Sequence, residues 1–100
     1  METIHSINLI VSNPERKKSK PYIAGTGIRV KDIAMAMLFH HQSPDEIAAA
    51  YELSLAQVHA ALAYYYEHKS DIDEDIRIQI AEARALKEQR VGSQPPFLFR

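Results

Sequence analysis

Cysteine is absent from the 100 residues. That excludes a disulfide scaffold and a thiolate metal site, and it agrees with a reducing compartment. Long apolar runs are absent as well. In "METIHSINLIVSNPERKKSK" the apolar run is about five residues, too short for a signal-peptide core or a membrane span. A cytoplasmic protein with no membrane partner is therefore expected. A third absence is more pointed. From Ser43 to His68 there is no lysine or arginine, yet "SPDEIAAAYELSLAQVHAALAYYYEH" has the outline of two helices with a tight break, as in a DNA-reading helix-turn-helix. What is present is ordinary: 46% hydrophobic and 25% charged residues are the proportions of a soluble globular chain, and the length suits one domain.

The net charge of −1 hides an uneven distribution. Residues 1–40 carry six Lys/Arg against three Asp/Glu, residues 41–70 one against four, and residues 71–100 five against six. The basic third is thus N-terminal, and the helix-turn-helix outline is acidic. A DNA reader usually shows the reverse, because neutralising phosphates supplies much of its affinity.

Along the chain, the β-branched run Ser6–Ser12 predicts a short strand and Asn13–Pro21 a charged loop. Tyr22–Val30 predicts two very short strands around Gly25-Thr26-Gly27, since glycine takes the positive φ such a turn needs. Helical periodicity then begins. A first helix is expected from Val30 to His41, with Val30, Ile33, Met37, Leu38 and His41 on one face. Ser43, Pro44 and Glu46 form a capping signal for a second helix to about Tyr51, burying Ile47, Ala48 and Tyr51. Ser54 and Gln57 repeat the capping box for a third helix, Leu55 to about Lys69, with the stripe Leu55, Val58, Leu62 and Tyr65 or Tyr66. Ser70 or Asp71 caps a fourth, Ile72 to about Val91, roughly 30 Å long. In it Ile72, Ile76, Ile80, Ala83 and Leu86 form an apolar stripe, with Asp73 and Arg77 a supporting pair. Only the beginning of so long a helix can pack on a small three-helix core, so the rest of the stripe needs another surface. Gly92 stops the helix, and "GSQPPFLFR" ends the chain in an apolar tip.

No enzyme, cofactor or metal site is expected. His40 and His41 point about 100° apart on a helix and suit the carbonyls at its C-terminus better than an ion. His59 and His68 stand nine residues apart, too far along a helix to share one. Gly25-Thr26-Gly27 lacks the Gly-Lys-Ser/Thr of a phosphate loop. Asp71, Asp73, Glu74 and Asp75 are capping charges at a helix start. No nucleophile stands with a base. Tyr64-Tyr65-Tyr66 spans about 200° of helix, so one or two belong to the core and the remainder to the rim or an interface.

If the helix-turn-helix outline reads DNA, the start of its second helix presents Ala56, Gln57, His59, Ala60 and Ala63 to base edges. Gln57 suits adenine and alanine a thymine methyl. Phosphate contacts would have to come from Arg16, Lys17, Lys18, Lys20, Arg29 and Lys31, acting as an arm. The alternative for that arm is a solvated loop.

The run "KPYIAGTGIRVKDIAMAM…SPDEIAAAYELSLAQVHAALAYYYEHKSDIDEDI", about Lys20 to Ile76, resembles domain-of-unknown-function family 433. These are small bacterial proteins described as helix-turn-helix or homeodomain-like, with members treated as VapB-type antitoxins. Two departures stand out. The family usually has Gly-Thr-Arg where this chain has Gly25-Thr26-Gly27, with Arg29 two positions on. It also often has Gly-Gly before Lys-Pro, where Lys18-Ser19 stand here. The resemblance implies a PIN-like toxin partner and, in many members, repression of the operon.

These readings combine into a mainly α fold within one domain. It has a small N-terminal β-hairpin element and basic loop (1–30), a three-helix homeodomain-like helix-turn-helix core (31–70), and a long projecting C-terminal fourth helix with a tail (71–100). The expected function is an antitoxin-like interaction protein binding a cognate toxin through Ile76, Ile80, Ala83, Leu86, Phe97 and Phe99, a grouping suited to a groove on a partner. Operator DNA is a possible second ligand through the basic residues above with Gln57 and His59. The same stripe also suits a homodimer. The alternatives are a transcriptional regulator without a toxin and a dimeric scaffold.

Overall fold

The computed structural model describes residues 1–15 and 20–93, the last four by backbone alone. Strand β1 (Ile10–Val11) pairs antiparallel with β2 (Tyr22–Ile23), setting Ile10 opposite Ile23 and Val11 opposite Tyr22. The ladder is shorter than the expected Ser6–Ser12 strand for a simple reason. β2 has two residues before the chain turns at Ala24, so after the Ala24 N–H has bonded the Leu9 carbonyl (2.9 Å) nothing of β2 remains for Ser6–Asn8.

The turn that follows is built by Gly25 and Thr26. The Thr26 N–H donates to the Ile23 carbonyl (3.1 Å), and Gly25 takes φ +78°, the value a type II turn requires at its third residue. The Thr26 hydroxyl locks it, donating to the Ile23 carbonyl (2.8 Å) and accepting from the Ile28 N–H (3.1 Å). The chain then runs back along β2: the Ile23 N–H donates to the Ile28 carbonyl (2.9 Å), and Tyr22 bridges Arg29. β2 therefore lies between β1 and residues 28–29.

Four helices follow among the described residues: α1 (Val30–His40), α2 (Pro44–Tyr51), α3 (Leu55–Glu67) and α4 (Lys69–Ser93). Their ends are set by local chemistry. The Arg29 N–H donates to the Asp32 carboxylate (3.2 Å) at the head of α1. Both expected capping boxes form. The Ser43 and Ser54 hydroxyls accept from the N–H groups of Glu46 and Gln57 (3.2 and 3.1 Å), whose side chains accept in return from the serine N–H groups (2.7 and 2.8 Å). α1 and α2 end on residues in the left-handed region, His41 (φ 54°) and Glu52 (φ 58°), whose N–H groups return to the Ala36 and Ala48 carbonyls.

The chain divides into two compact units, residues 1–69 and 70–100. In the first, α3 is the hub, meeting α1, α2 and both strands. Its interior is apolar: Ile23, Val30, Ile33, Ile47, Val58 and Tyr65 are fully buried beside Ala34, Ala36, Ala61 and Leu62, and no polar or charged residue among those described is buried. Each fully buried aliphatic side chain contributes roughly 1.5–3 kcal/mol relative to exposure.

Several stripe assignments change. On α1 the buried face runs through Val30, Ile33, Ala34 and Ala36, while Leu38 and His41 are exposed. Leu38 lies about 140° around the helix from Ile33, and His41 has already left helical geometry. On α2, Ile47 is buried but Tyr51 is exposed at the C-terminus of an eight-residue helix. On α3, Val58, Leu62 and Tyr65 are buried, whereas Leu55 at the first helical position and Tyr66 are exposed. The start of α4 also moves. His68 alone separates it from α3, its N–H shared between the Tyr64 and Tyr65 carbonyls (3.0 and 3.1 Å). With neither proline nor glycine at 69–71, helix resumes at Lys69, ahead of the expected caps Ser70 and Asp71.

Candidate functional site

α2 and α3 are joined by Glu52, Leu53 and Ser54, so the outline that raised the question of DNA reading is present as two capped helices and a three-residue connection. Along the outward face of α3, Leu55, Ala56, His59 and Ala63 are exposed, and Ala60 is half-buried. Gln57 is committed elsewhere. Its side-chain oxygen holds the Ser54 N–H (2.8 Å) and its own N–H holds the Ser54 hydroxyl (3.1 Å). To pair with a base it must first release its own helix cap. The acidic side chains Asp45, Glu46, Glu52 and Glu67 are all exposed around these helices.

The basic candidates divide in two. Arg16, Lys17 and Lys18 lie outside the described residues. Lys20, Arg29 and Lys31 are half-buried, and the Arg29 guanidinium stands 3.6 Å from the Asp32 carboxylate. Arg29 therefore serves the start of α1, offsetting a charge within its own turn.

The tyrosine run separates as its spacing requires. Tyr65 is fully buried, with the Lys69 ammonium 5.7 Å from its ring centroid. Tyr64 stacks on His68 at 4.0 Å between centroids, and the His68 Nδ1 is 3.1 Å from the Tyr64 carbonyl. Tyr66 is exposed and its hydroxyl reaches the Met37 sulfur at 3.4 Å. Beside Met37, Leu38 and Phe39 are exposed at 37% and 50%. Sequence reasoning assigned Leu38 to the core and passed over Phe39, although three successive large residues cannot all face one side of a helix. Among the described residues no three His, Cys, Asp or Glu side chains are grouped to hold a metal, and no helix is long and apolar enough to cross a membrane.

A model of the family described as "Protein of unknown function (DUF433)" matches residues 10–65, more than half of the chain. The chain belongs to that family. Comparison with curated proteins and with solved structures gives no match. The DUF433 match begins at β1 and ends at Tyr65, so it takes in the strands, the Gly25-Thr26 turn and the three packed helices. Gly25 and Thr26 are the residues that make the turn, and Gly27 is an exposed position immediately after it.

α4 lies beyond the DUF433 match, and the proposed partner anchors fall along it unevenly. Ile76 is buried at 4% exposure and Ile80 half-buried; Ala83 and Leu86 are exposed, Leu86 at 59%. Phe97 and Phe99 lie outside the described residues. From Ala81 to Gln89 every residue is exposed. Ile78, at 47% exposure, adds an apolar side chain that the stripe passed over, because it sits off the three- and four-residue spacing. Arg77 forms an ion pair with Glu74 on the same helix.

Proposed function

We propose that this DUF433 protein is an antitoxin-like interaction protein that binds a cognate PIN-like toxin through α4 and the residues that follow it, with operator DNA as a second ligand. The observation that carries the reading is the exposure of nine successive helical residues of α4, 81–89, with Leu86 among them. A 25-residue helix with nine successive residues open to solvent is ill-matched to a purely internal role. An amphipathic helix with apolar residues at Ile80, Ala83 and Leu86 is the form in which chains dock into grooves on other proteins.

A second reading is kept by one observation. Ala56, His59 and Ala63 stand exposed on α3, where a DNA reader would place base contacts. The acidic surroundings, and Gln57 engaged in its cap, favour the protein partner as the primary ligand.

The test is co-expression of the tagged protein with the product of the adjacent gene, followed by light scattering on what co-purifies. A complex of defined stoichiometry is the expected result. The protein eluting by itself would overturn the toxin-binding reading and move attention to its upstream DNA.

A further inference from the structure

α3 is the hub of residues 1–69, yet one side of it is open. Leu55, Ala56, His59, Ala63, Tyr66 and Glu67 are exposed, and around the helix axis they share an arc of about 120°. An arc of that width is what one helix offers another when they pack. Leu55 and Tyr66, 46% and 58% exposed, place a large side chain near each end of it, about 16 Å apart along the axis. The Tyr66 hydroxyl reaches the Met37 sulfur of α1 (3.4 Å), and the next α1 residues, Leu38 and Phe39, are exposed as well. Between the two ends, alanine at 56 and 63 adds no bulk.

Charge decides what can cover this face. Exposed carboxylates stand at both ends: Glu67 on the arc itself, and Glu52 in the connection that leads into Leu55. Asp45 and Glu46, in the first turn of α2, are exposed too, and no lysine or arginine from Ser43 to His68 offsets them. Phosphate, of DNA or of an anionic lipid surface, meets repulsion there and no cation. A second copy brings the same charges with it. Laid antiparallel on its mate, α3 sets Glu52 toward Glu67; laid parallel, it sets each against itself. Like charges directly opposed disfavour both arrangements.

We propose that the outward face of α3 docks a basic amphipathic helix of another protein. Its apolar residues lie toward Leu55, Ala63 and Tyr66, and its lysines or arginines, near both ends, face Glu52 and Glu67. The small alanines let the two helix axes approach closely, and the complementary charge orients the partner and excludes acidic competitors. The inference uses no residue of α4 and stands apart from the toxin-binding reading; it leaves operator DNA to the basic residues ahead of α1. The contact is one helix long, about 20 Å, so the complex is weak and salt-sensitive.

The test uses three probes against the full chain at low salt, with backbone amides followed by NMR. One is a capped synthetic helix slightly longer than α3, with leucine and alanine along one face and lysine in its first and last turns. The second has glutamate in place of each lysine, and the third is a mixed-sequence DNA duplex. The lysine peptide is expected to move the α3 amides and to saturate below ~1 mM, while the glutamate peptide and the duplex leave them in place. In Glu52→Lys/Glu67→Lys the preference should invert. The lysine peptide should weaken at least about tenfold, as two surface ion pairs turn repulsive, and the glutamate peptide should now bind. Ala63→Arg should also weaken the lysine peptide, with helical circular dichroism and urea midpoint unchanged because the position is exposed. Lysine-peptide shifts that are absent, that avoid α3, or that persist undiminished in either variant would overturn the proposal. Duplex DNA moving the α3 amides would overturn it in favour of nucleic acid. In Ile80→Asp/Leu86→Asp the α3 shifts should remain, so failure of partner capture through α4 is read separately; their loss there would count against the α3 face.

Discussion

Glu52 and His41 end their helices in the left-handed region without being glycine, a conformation that costs an ordinary side chain roughly 1–2 kcal/mol. Glu52→Gly removes that strain and gives back part of it as unfolded-state entropy. The expected net effect is stabilisation by about 0.5 kcal/mol, read as a higher urea midpoint at unchanged slope. The caps should move the other way. Ser54→Ala leaves the Gln57 N–H without its acceptor and should lower stability by about 1 kcal/mol, measured by the same titration. The contrast also explains what a reader of the sequence could see. Ser43 with Glu46 and Ser54 with Gln57 were legible because a capping box is a local hydrogen-bond pattern at fixed spacing. The left-handed Glu52 was not, since glutamate carries no turn signal and takes this conformation only because α2 must end for α3 to begin. Gln57 shows the limit within the candidate site: its type suits adenine, but whether its amide is already occupied is a matter of geometry.

At the level of elements, the fold class, the four helices and the turn at Gly25-Thr26 followed from periodicity and turn chemistry, and the faces less well. α1 buries Ala34 and Ala36 where Leu38 was expected, because a stripe read from large apolar residues undervalues small ones that also lie against the core. Of the three short strands expected, the first forms over Ile10–Val11 alone, the second is Tyr22–Ile23, and the third is reduced to the Tyr22–Arg29 bridge, since strand length depends on a partner elsewhere in the chain. On α4 the apolar spacing was legible, but its division into buried Ile72 and Ile76 and exposed Leu86 depends on how the helix is covered, which spacing does not encode. The double substitution Ile80→Asp/Leu86→Asp should leave the thermal unfolding of residues 1–69 unchanged. It should weaken capture of the co-expressed partner at least about 100-fold, the loss expected from two apolar anchors. Loss of the cooperative transition would instead show that the stripe belongs to the core.

Across the whole molecule, the asymmetry of charge governs any encounter with nucleic acid. Residues 1–40 carry six Lys/Arg against three Asp/Glu, whereas residues 41–70, which hold α2 and α3, carry one against four. Replacing Arg16, Lys17, Lys18 and Lys20 by glutamine should weaken DNA binding alike for all sequences and flatten its salt dependence by up to about four in log–log slope. Unchanged affinity in a filter or anisotropy assay would remove the loop from the interface. The exposed run 81–89 of α4 bears on a different quantity, the lifetime of the chain. Arg84 and Lys87 stand exposed in a nine-residue stretch with little side-chain burial to hold it, and helix of that length is marginal in water without tertiary support. Proteolytic nicking requires such local opening. A protein seated over Leu86, as proposed, would close these same residues to attack, and occupancy of α4 and persistence of the polypeptide would then become one variable: the copies surviving longest would be the copies already engaged.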